Sequence, residues 1–220
     1  MHVNHFIVSF IICSNYGSEL KYKVAGIISN LAVPDNLRND VMDASDVVVG
    51  LSSVVSAHAS DLSLETRSMA ATALRNLAVT SRGQQIVGST SQAVRGVSQL
   101  LTDAYAVLTE QVNNINNNEA EANAQPEDAS AQIAAIAKTN AAARNAVLKA
   151  VAALENLSAF EENRVLIVDS SEHTISTLCL LLMSVDSNKE SQSILSHAVG
   201  KYAMLVWSVN IILLPSTYNI

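Results

Sequence analysis

A six-residue phrase occurs three times in this chain and sets most of what the chain can become. It reads Ile27-Ile28-Ser29-Asn30-Leu31-Ala32, then Ala73-Leu74-Arg75-Asn76-Leu77-Ala78, then Ala153-Leu154-Glu155-Asn156-Leu157-Ser158. The agreement continues past the phrase. Seven residues beyond each Asn stand Leu37, Gly83 and Asn163; eight beyond, Arg38, Gln84 and Arg164; eleven beyond, Val41, Val87 and Ile167. Twenty-four and twenty-five beyond stand the apolar pairs Val54-Val55, Leu100-Leu101 and Leu180-Leu181. A register held over that distance, with 46 residues between the first two Asn, predicts stacked helical units, each burying its apolar face on its neighbours.

Composition agrees. The 220 residues are 49% hydrophobic but only 4% aromatic, so the chain has a core to bury and the small side chains that let helices pack closely; an all-α fold is expected. The formal net charge of −7 supplies no general cationic field for phosphates, which disfavours nucleic acid as a partner. Cys13 and Cys179 lie far apart with no paired spacing, which implies a reducing, intracellular setting, cytoplasmic or nuclear. Of the five histidines only His2 and His5 sit close in sequence, and no metal or other cofactor is expected.

Along the chain, residues 1–17 are left unassigned. Phe6 to Cys13 is an apolar run without the basic start of a signal peptide or the length of a membrane span, and is expected to be a makeshift cap on the first helix or a stray start to a truncated chain. From Ser18 the apolar residues Leu20, Val24, Ile27, Ile28 and Leu31 recur at helical spacing until Pro34. Pro34-Asp35 opens a short helix through Leu37 and Val41, with Asp35 expected to cap it; a second helix runs through Val48, Leu51, Val54 and Val55. Asp61 is expected to cap the long helix that carries Met69, Ala70, Ala73, Leu74 and Leu77.

A unit of short, medium and long helix, with these phrases, resembles the armadillo repeat. The resemblance rests on the Ala-Leu-x-Asn-Leu-Ala phrase of the third helix, on Glu162-Asn163-Arg164 and Ile167-Val168 in the next first helix, and on the Leu-Leu pair ending the second. It covers residues 18 to about 207. It implies a right-handed α-solenoid of about three repeats with partial ends: a third helix at 18–33, repeats at 34–80, 81–159 and 160–214, and a tail at 215–220.

Three departures stand out. The second Asn-to-Asn spacing is 80 residues, about 34 longer than the first; the excess is placed in an insertion at about 112–139. Its Asn-rich, acidic part, Asn113 to Asp128, is expected to loop out, and its alanine-rich part, Ala129 to Ala137, to be helical. Glycine is missing between first and second helices, where Ala44, Ser89 and Ser170 stand, so that turn is expected to be irregular. The last long helix, from about Lys189, carries Lys201 where the ladder calls for Asn, and is followed by an apolar stretch, Ala203 to Leu214, too short to span a bilayer.

No nucleophile elbow, phosphate-binding glycine loop, zinc-protease helix or kinase phrase is present, and an enzyme is not expected. The resemblance implies instead that third helices line a concave groove, and that Asn30, Asn76 and Asn156, flanked by Ser29, Arg75 and Glu155 and continued by Lys201, hold a protein or extended peptide by its main chain. Tying each helix to its neighbour is an equal alternative role for these amides. Gly26, Thr72 and Ala152 stand where the nuclear-import branch has Trp, so lysine-stem recognition is not expected. The expected function is a non-catalytic protein-binding scaffold. A regulatory or assembly subunit, a membrane-associated adaptor using the apolar tail, and self-association through that tail remain open alternatives.

Overall fold

The computed structural model describes residues 17–118, 126–170 and 172–183, and among them there are nine α-helices and no strand. We number them α1 (Ser18–Leu31), α2 (Asp35–Asp43), α3 (Ser45–Val55), α4 (Leu64–Leu77), α5 (Ser81–Ser89), α6 (Ser91–Asn118), α7 (Pro126–Ser158), α8 (Glu161–Ser170) and α9 (Glu172–Met183). The expectations for Phe6 to Cys13, Lys201 and Ala203 to Leu214 lie outside the described residues.

The packing is that of a solenoid. The long helices form one row, α1 against α4 and α4 against α7; the second helices form another, α3 against α6 and α6 against α9; and α5 packs on α8. Each helix thus meets its counterpart in the next unit, and within a unit α3 packs on α4 and α6 on α7. This is the contact pattern of a quasi-one-dimensional stack, an armadillo-like α-solenoid.

Register accounts for the repeated phrase. Two residues before each ladder Asn, Ile28, Leu74 and Leu154 are buried, and two after it so are Ala32 and Ala78. Alanines 70, 71, 73 and 78, in and just before the second phrase, are completely enclosed, which lets third helices approach closely. The first-helix phrase has an equally specific job. Arg38 donates from Nε to the Ala32 carbonyl at 2.8 Å and from Nη2 to the Val33 carbonyl at 2.7 Å; Arg164 donates from Nε to the Ser158 carbonyl at 2.9 Å. Both arginines therefore occupy the C-terminal end of the preceding third helix, where free carbonyls and the helix dipole favour a cation. Asn163 donates from Nδ2 to Leu157 O (3.0 Å) and to Gln84 O (2.9 Å), joining the end of α7 to the previous first helix. A methyl group on Gly88 would lie 1.8 Å from Asn163 Oδ1, and one on Gly83 1.9 Å from Leu77 O; these glycines are set by close approach, not by backbone angle.

Several local expectations need correcting. Asp35 is not a cap: Pro34 holds the N-cap position of α2, and Asp35, in the first turn, accepts from Arg38 Nη1 at 2.5 Å. Asp61 accepts from Ser60 Oγ, while Ser63 caps α4 by accepting from Thr66 N. The first two turns between first and second helices are regular, and the third, after Ser170, lies outside the described residues. Ala44 (φ −75°, ψ 93°) and Thr90 (φ −87°, ψ 88°) share one extended conformation, and no described residue has positive φ, so glycine is not required.

The insertion is not the loop expected at 112–139. Residues 112–118 continue α6 and 126–139 belong to α7; residues 119–125 lie outside the description. The alanine-rich part is helical, as its composition predicts. With 28 residues in α6 against 11 in α3, and 33 in α7 against 14 in α4, the added length goes into both helices of the second unit. At a rise of 1.5 Å per residue α7 is about 50 Å long and α4 about 21 Å, so the far ends of α6 and α7 extend beyond the stack. Helices already nucleated by packing propagate readily through poor helix formers.

Leu74 and Leu154 share one fully enclosed position. Each Leu→Ala change is expected to lower unfolding free energy by about 2 to 5 kcal/mol in urea titration; two near-neutral results would put the helical register out of phase.

Candidate partner-binding groove

The third helices α1, α4 and α7 lie side by side, so their ladder residues come together although 46 and 80 residues separate them. Asn76 donates from Nδ2 to both the Ser29 carbonyl and Ser29 Oγ, each at 3.0 Å. Asn156 donates from Nδ2 to the Arg75 carbonyl, again at 3.0 Å. In both cases the amide reaches the residue just before the ladder Asn of the previous unit. The bridging role is therefore present at both junctions. Asn30, on the first described third helix, is exposed. Ser29, expected as a groove contact, is buried and holds Asn76, so it acts beneath the surface. The side chains of Arg75 and Glu155 are half-buried beside the ladder. Lys201 lies outside the described residues.

Bridging through Nδ2 leaves each amide with capacity for more. A carboxamide has two N–H groups and two acceptor sites on oxygen, and no described side chain or backbone group bonds to Oδ1 of Asn76 or Asn156. One helical turn earlier, on the same face, stand Gly26, Thr72 and Ala152, all half-buried. A methyl group placed on Gly26 would stand 3.8 Å from Met69 Sδ, so α4 presents a methionine to the small residue of α1. Tyr22 and Leu148, each eight residues before its ladder Asn, are exposed. The face thus combines anchored amides, small half-buried residues and scattered apolar and charged groups. The Glu19–Lys23 pair of α1 (2.7 Å) lies wholly in solvent; its hydrogen bond and charge hold the Glu19 carboxyl below and the Lys23 ammonium above their usual ranges.

The most constrained polar residue went unnoticed in the sequence. Arg67 is fully enclosed, donating from Nε to Val55 O (3.1 Å) and from Nη1 to Asp103 Oδ2 (2.7 Å), while Gln99 Nε2 donates to Asp103 Oδ1 at 2.7 Å. It fastens the start of α4 to the end of α3 and to α6. A signal existed: nine residues before its ladder Asn, Arg67 occupies the position that Val147 holds, buried, in α7. Arg67 Nη2 has no partner among the described residues. No group of three His, Cys, Asp or Glu side chains among the described residues could hold a metal, and no described helix is long and apolar enough to cross a membrane.

No family model matches the chain, and no curated protein does. Solved structures do. One engineered protein of the Northeast Structural Genomics Consortium is 20% identical with a TM-score of 0.46, over 91% of this chain and 79% of its own. A second is 16% identical with a TM-score of 0.47, over 91% and 81%. A designed armadillo repeat protein is 16% identical with a TM-score of 0.42, over 90% and 82%. The fold assignment rests on the helix order and packing given above.

Two stability tests follow. Asp103→Ala leaves the enclosed Arg67 guanidinium without its counter-charge and is expected to cost about 3 to 5 kcal/mol. Asp35→Ala removes a 92% exposed partner from Arg38 and is expected to cost under about 1 kcal/mol. Equal losses for the two variants, read from denaturant melts, would contradict the burial argument. Asn76→Ala is expected to cost about 1 kcal/mol through the lost link to Ser29; no loss would remove its bridging role.

Proposed function

We propose that this armadillo-like solenoid is a non-catalytic, intracellular protein-binding scaffold, and that the row of third helices takes an extended segment of a partner protein. The observation that carries the reading is the pair of anchored amides. Asn76 and Asn156 are held through Nδ2 at 3.0 Å, so their remaining capacity is presented in a fixed orientation. Preorganised donors and acceptors lose little freedom on binding, and an amide complements a peptide unit, which also carries one donor and one acceptor. Partner choice then falls to the neighbours. Arg75 and Glu155 bear opposite charges at matching positions, so side-chain selection differs along the groove. The net charge of −7 argues for a polypeptide rather than a nucleic acid.

The test is selection of linear peptides from a displayed random library on the full chain. Thr72→Lys raises a long cationic side chain one turn from Asn76, at a site where the native side chain is half-buried. It is expected to weaken a selected peptide at least about 10-fold, with the melting temperature unchanged. Arg75→Glu is expected to change which peptides are recovered. Full affinity in a folded Thr72→Lys chain, or recovery of no linear peptide at all, would move the binding surface away from the third helices.

A further inference from the structure

The two junctions between third helices differ in charge. The amide bonds set which residues meet there: Asn76 reaches Ser29, the residue before Asn30 in α1, and Asn156 reaches Arg75, the residue before Asn76 in α4. Arg75 therefore lies on the flank of α4 that meets α7, level with Asn156. Lys149 stands seven residues before Asn156, which is two helical turns to within about 20°, so it shares that face of α7 about 10 Å further along. Ala152, half-buried, lies between the two cations. At the α1–α4 junction the corresponding positions hold Ser29, which is buried, then Met69 and Thr72. Neither Arg75 nor Lys149 is neutralised. Among the described residues no carboxylate pairs with either, and none stands three or four residues away in sequence, where a helix brings side chains together. Lys23, which holds the place of Lys149 in α1, is paired with Glu19 at 2.7 Å. Along α7, Ala129 to Leu154 contains Lys138, Arg144 and Lys149 and no Asp or Glu, in a chain of net charge −7. Glu155 holds in α7 the place of Arg75 in α4, so it lies on the flank turned away from α4. Arg75 is in the last turn of its helix, where the dipole favours a cation; Lys149 is more than two turns from the end of α7 and has no such reason to be charged.

We propose that Arg75 and Lys149 form a carboxylate subsite: the α4–α7 junction receives an Asp or Glu side chain of the bound segment, seated over Ala152 between the guanidinium and the ammonium, while the α1–α4 junction takes an uncharged residue against Met69 and Thr72. The proposal rests on the groove reading above and names what that groove selects. The guanidinium offers paired N–H donors that match the two oxygens of a carboxylate, and the ammonium adds a compact charge on the other side. Both cations are half-buried, so a bound chain removes them further from water, and no existing ion pair has to break to admit the ligand. Neighbouring helix axes lie about 8 to 10 Å apart and an extended chain advances about 3.4 Å per residue, so the uncharged and acidic residues of the segment fall about two or three positions apart. This preference runs against the net charge of the chain, which by itself would attract a basic partner; the local field of the groove decides instead.

The peptides recovered from the displayed library on the full chain test it. They are expected to share one acidic position, and a recovered peptide with that Glu changed to Gln is expected to bind the native chain at least about 10-fold more weakly. Lys149→Gln and Arg75→Gln are each expected to shrink the difference between the Glu and Gln peptides to about 3-fold or less, as coupled groups do in a double-mutant cycle, and Lys149→Arg to keep it. Peptides without a shared acidic position that are nonetheless weakened by Thr72→Lys would overturn the subsite and leave the groove reading standing; peptides indifferent to Thr72→Lys would overturn both. An acidic preference that survives both Gln variants would place the carboxylate elsewhere and overturn the proposal. So would displacement of the peptide by an equal concentration of a polyuridine oligonucleotide, lost in Lys149→Gln, which would reassign the two cations to a phosphate backbone.

Discussion

The structure depends on one junction, the contact between successive third helices. Alanines at 70, 71, 73 and 78 are fully enclosed, so α4 can lie close to its neighbours, and Asn76 and Asn156 cross the junctions by hydrogen bonds to main-chain carbonyls. Apolar packing supplies most of the driving force and is indifferent to small sliding motions; a directional bond to one carbonyl is not. Together they fix the register, and register decides which residues face the core and which face solvent. Arg38, Arg164 and Asn163 then secure the ends of the third helices against the first helices.

The fold was legible because the same physical problem is solved more than once. When Leu74 and Leu154 stand two residues before an Asn in separate parts of the chain, the coincidence reports a shared burial environment, and both prove fully enclosed. Repetition also exposes exceptions. Arg67 stands where Val147 stands in the other unit, and it is buried only because Val55 O, Asp103 and the enclosing helices receive it. That pairing is invisible in sequence, since Asp103 lies 36 residues away on another helix. The caps went astray for a local reason: Asp35 and Asp61 are good capping residues, but the helices begin where packing places them, so Pro34 and Ser63 take the positions. The long extensions of α6 and α7 escaped because propensity is a weak prior once a helix is anchored at one end by tertiary contacts.

The candidate site was legible in place and incompletely legible in role. Sequence identifies Asn76 and Asn156 as equivalent, and the structure puts them in one row of helices, but the same amide could serve a partner or a neighbouring helix. Geometry shows the second use directly, with Nδ2 on Ser29 O and on Arg75 O. The two uses are compatible, because bridging engages Nδ2, through two bonds at Asn76 and one at Asn156, and leaves the oxygen. Ser29 is the counterexample: its hydroxyl is near the ladder in sequence and buried in space, since the neighbouring helix covers it.

Proximity across the third-helix row is the claim on which everything else turns, and it can be measured without any ligand. In a chain with Cys13 and Cys179 replaced by Ser, cysteines would be placed at 26 and 69, or at 26 and 152, all half-buried positions, and treated with a short bismaleimide. The account predicts rapid internal cross-linking of the 26/69 pair, since a Cβ at 26 would lie 3.8 Å from Met69 Sδ, and none of the 26/152 pair, separated by an intervening helix. Equal cross-linking of both pairs, or efficient linking of 26 to 152 alone, would contradict the stacking order of α1, α4 and α7.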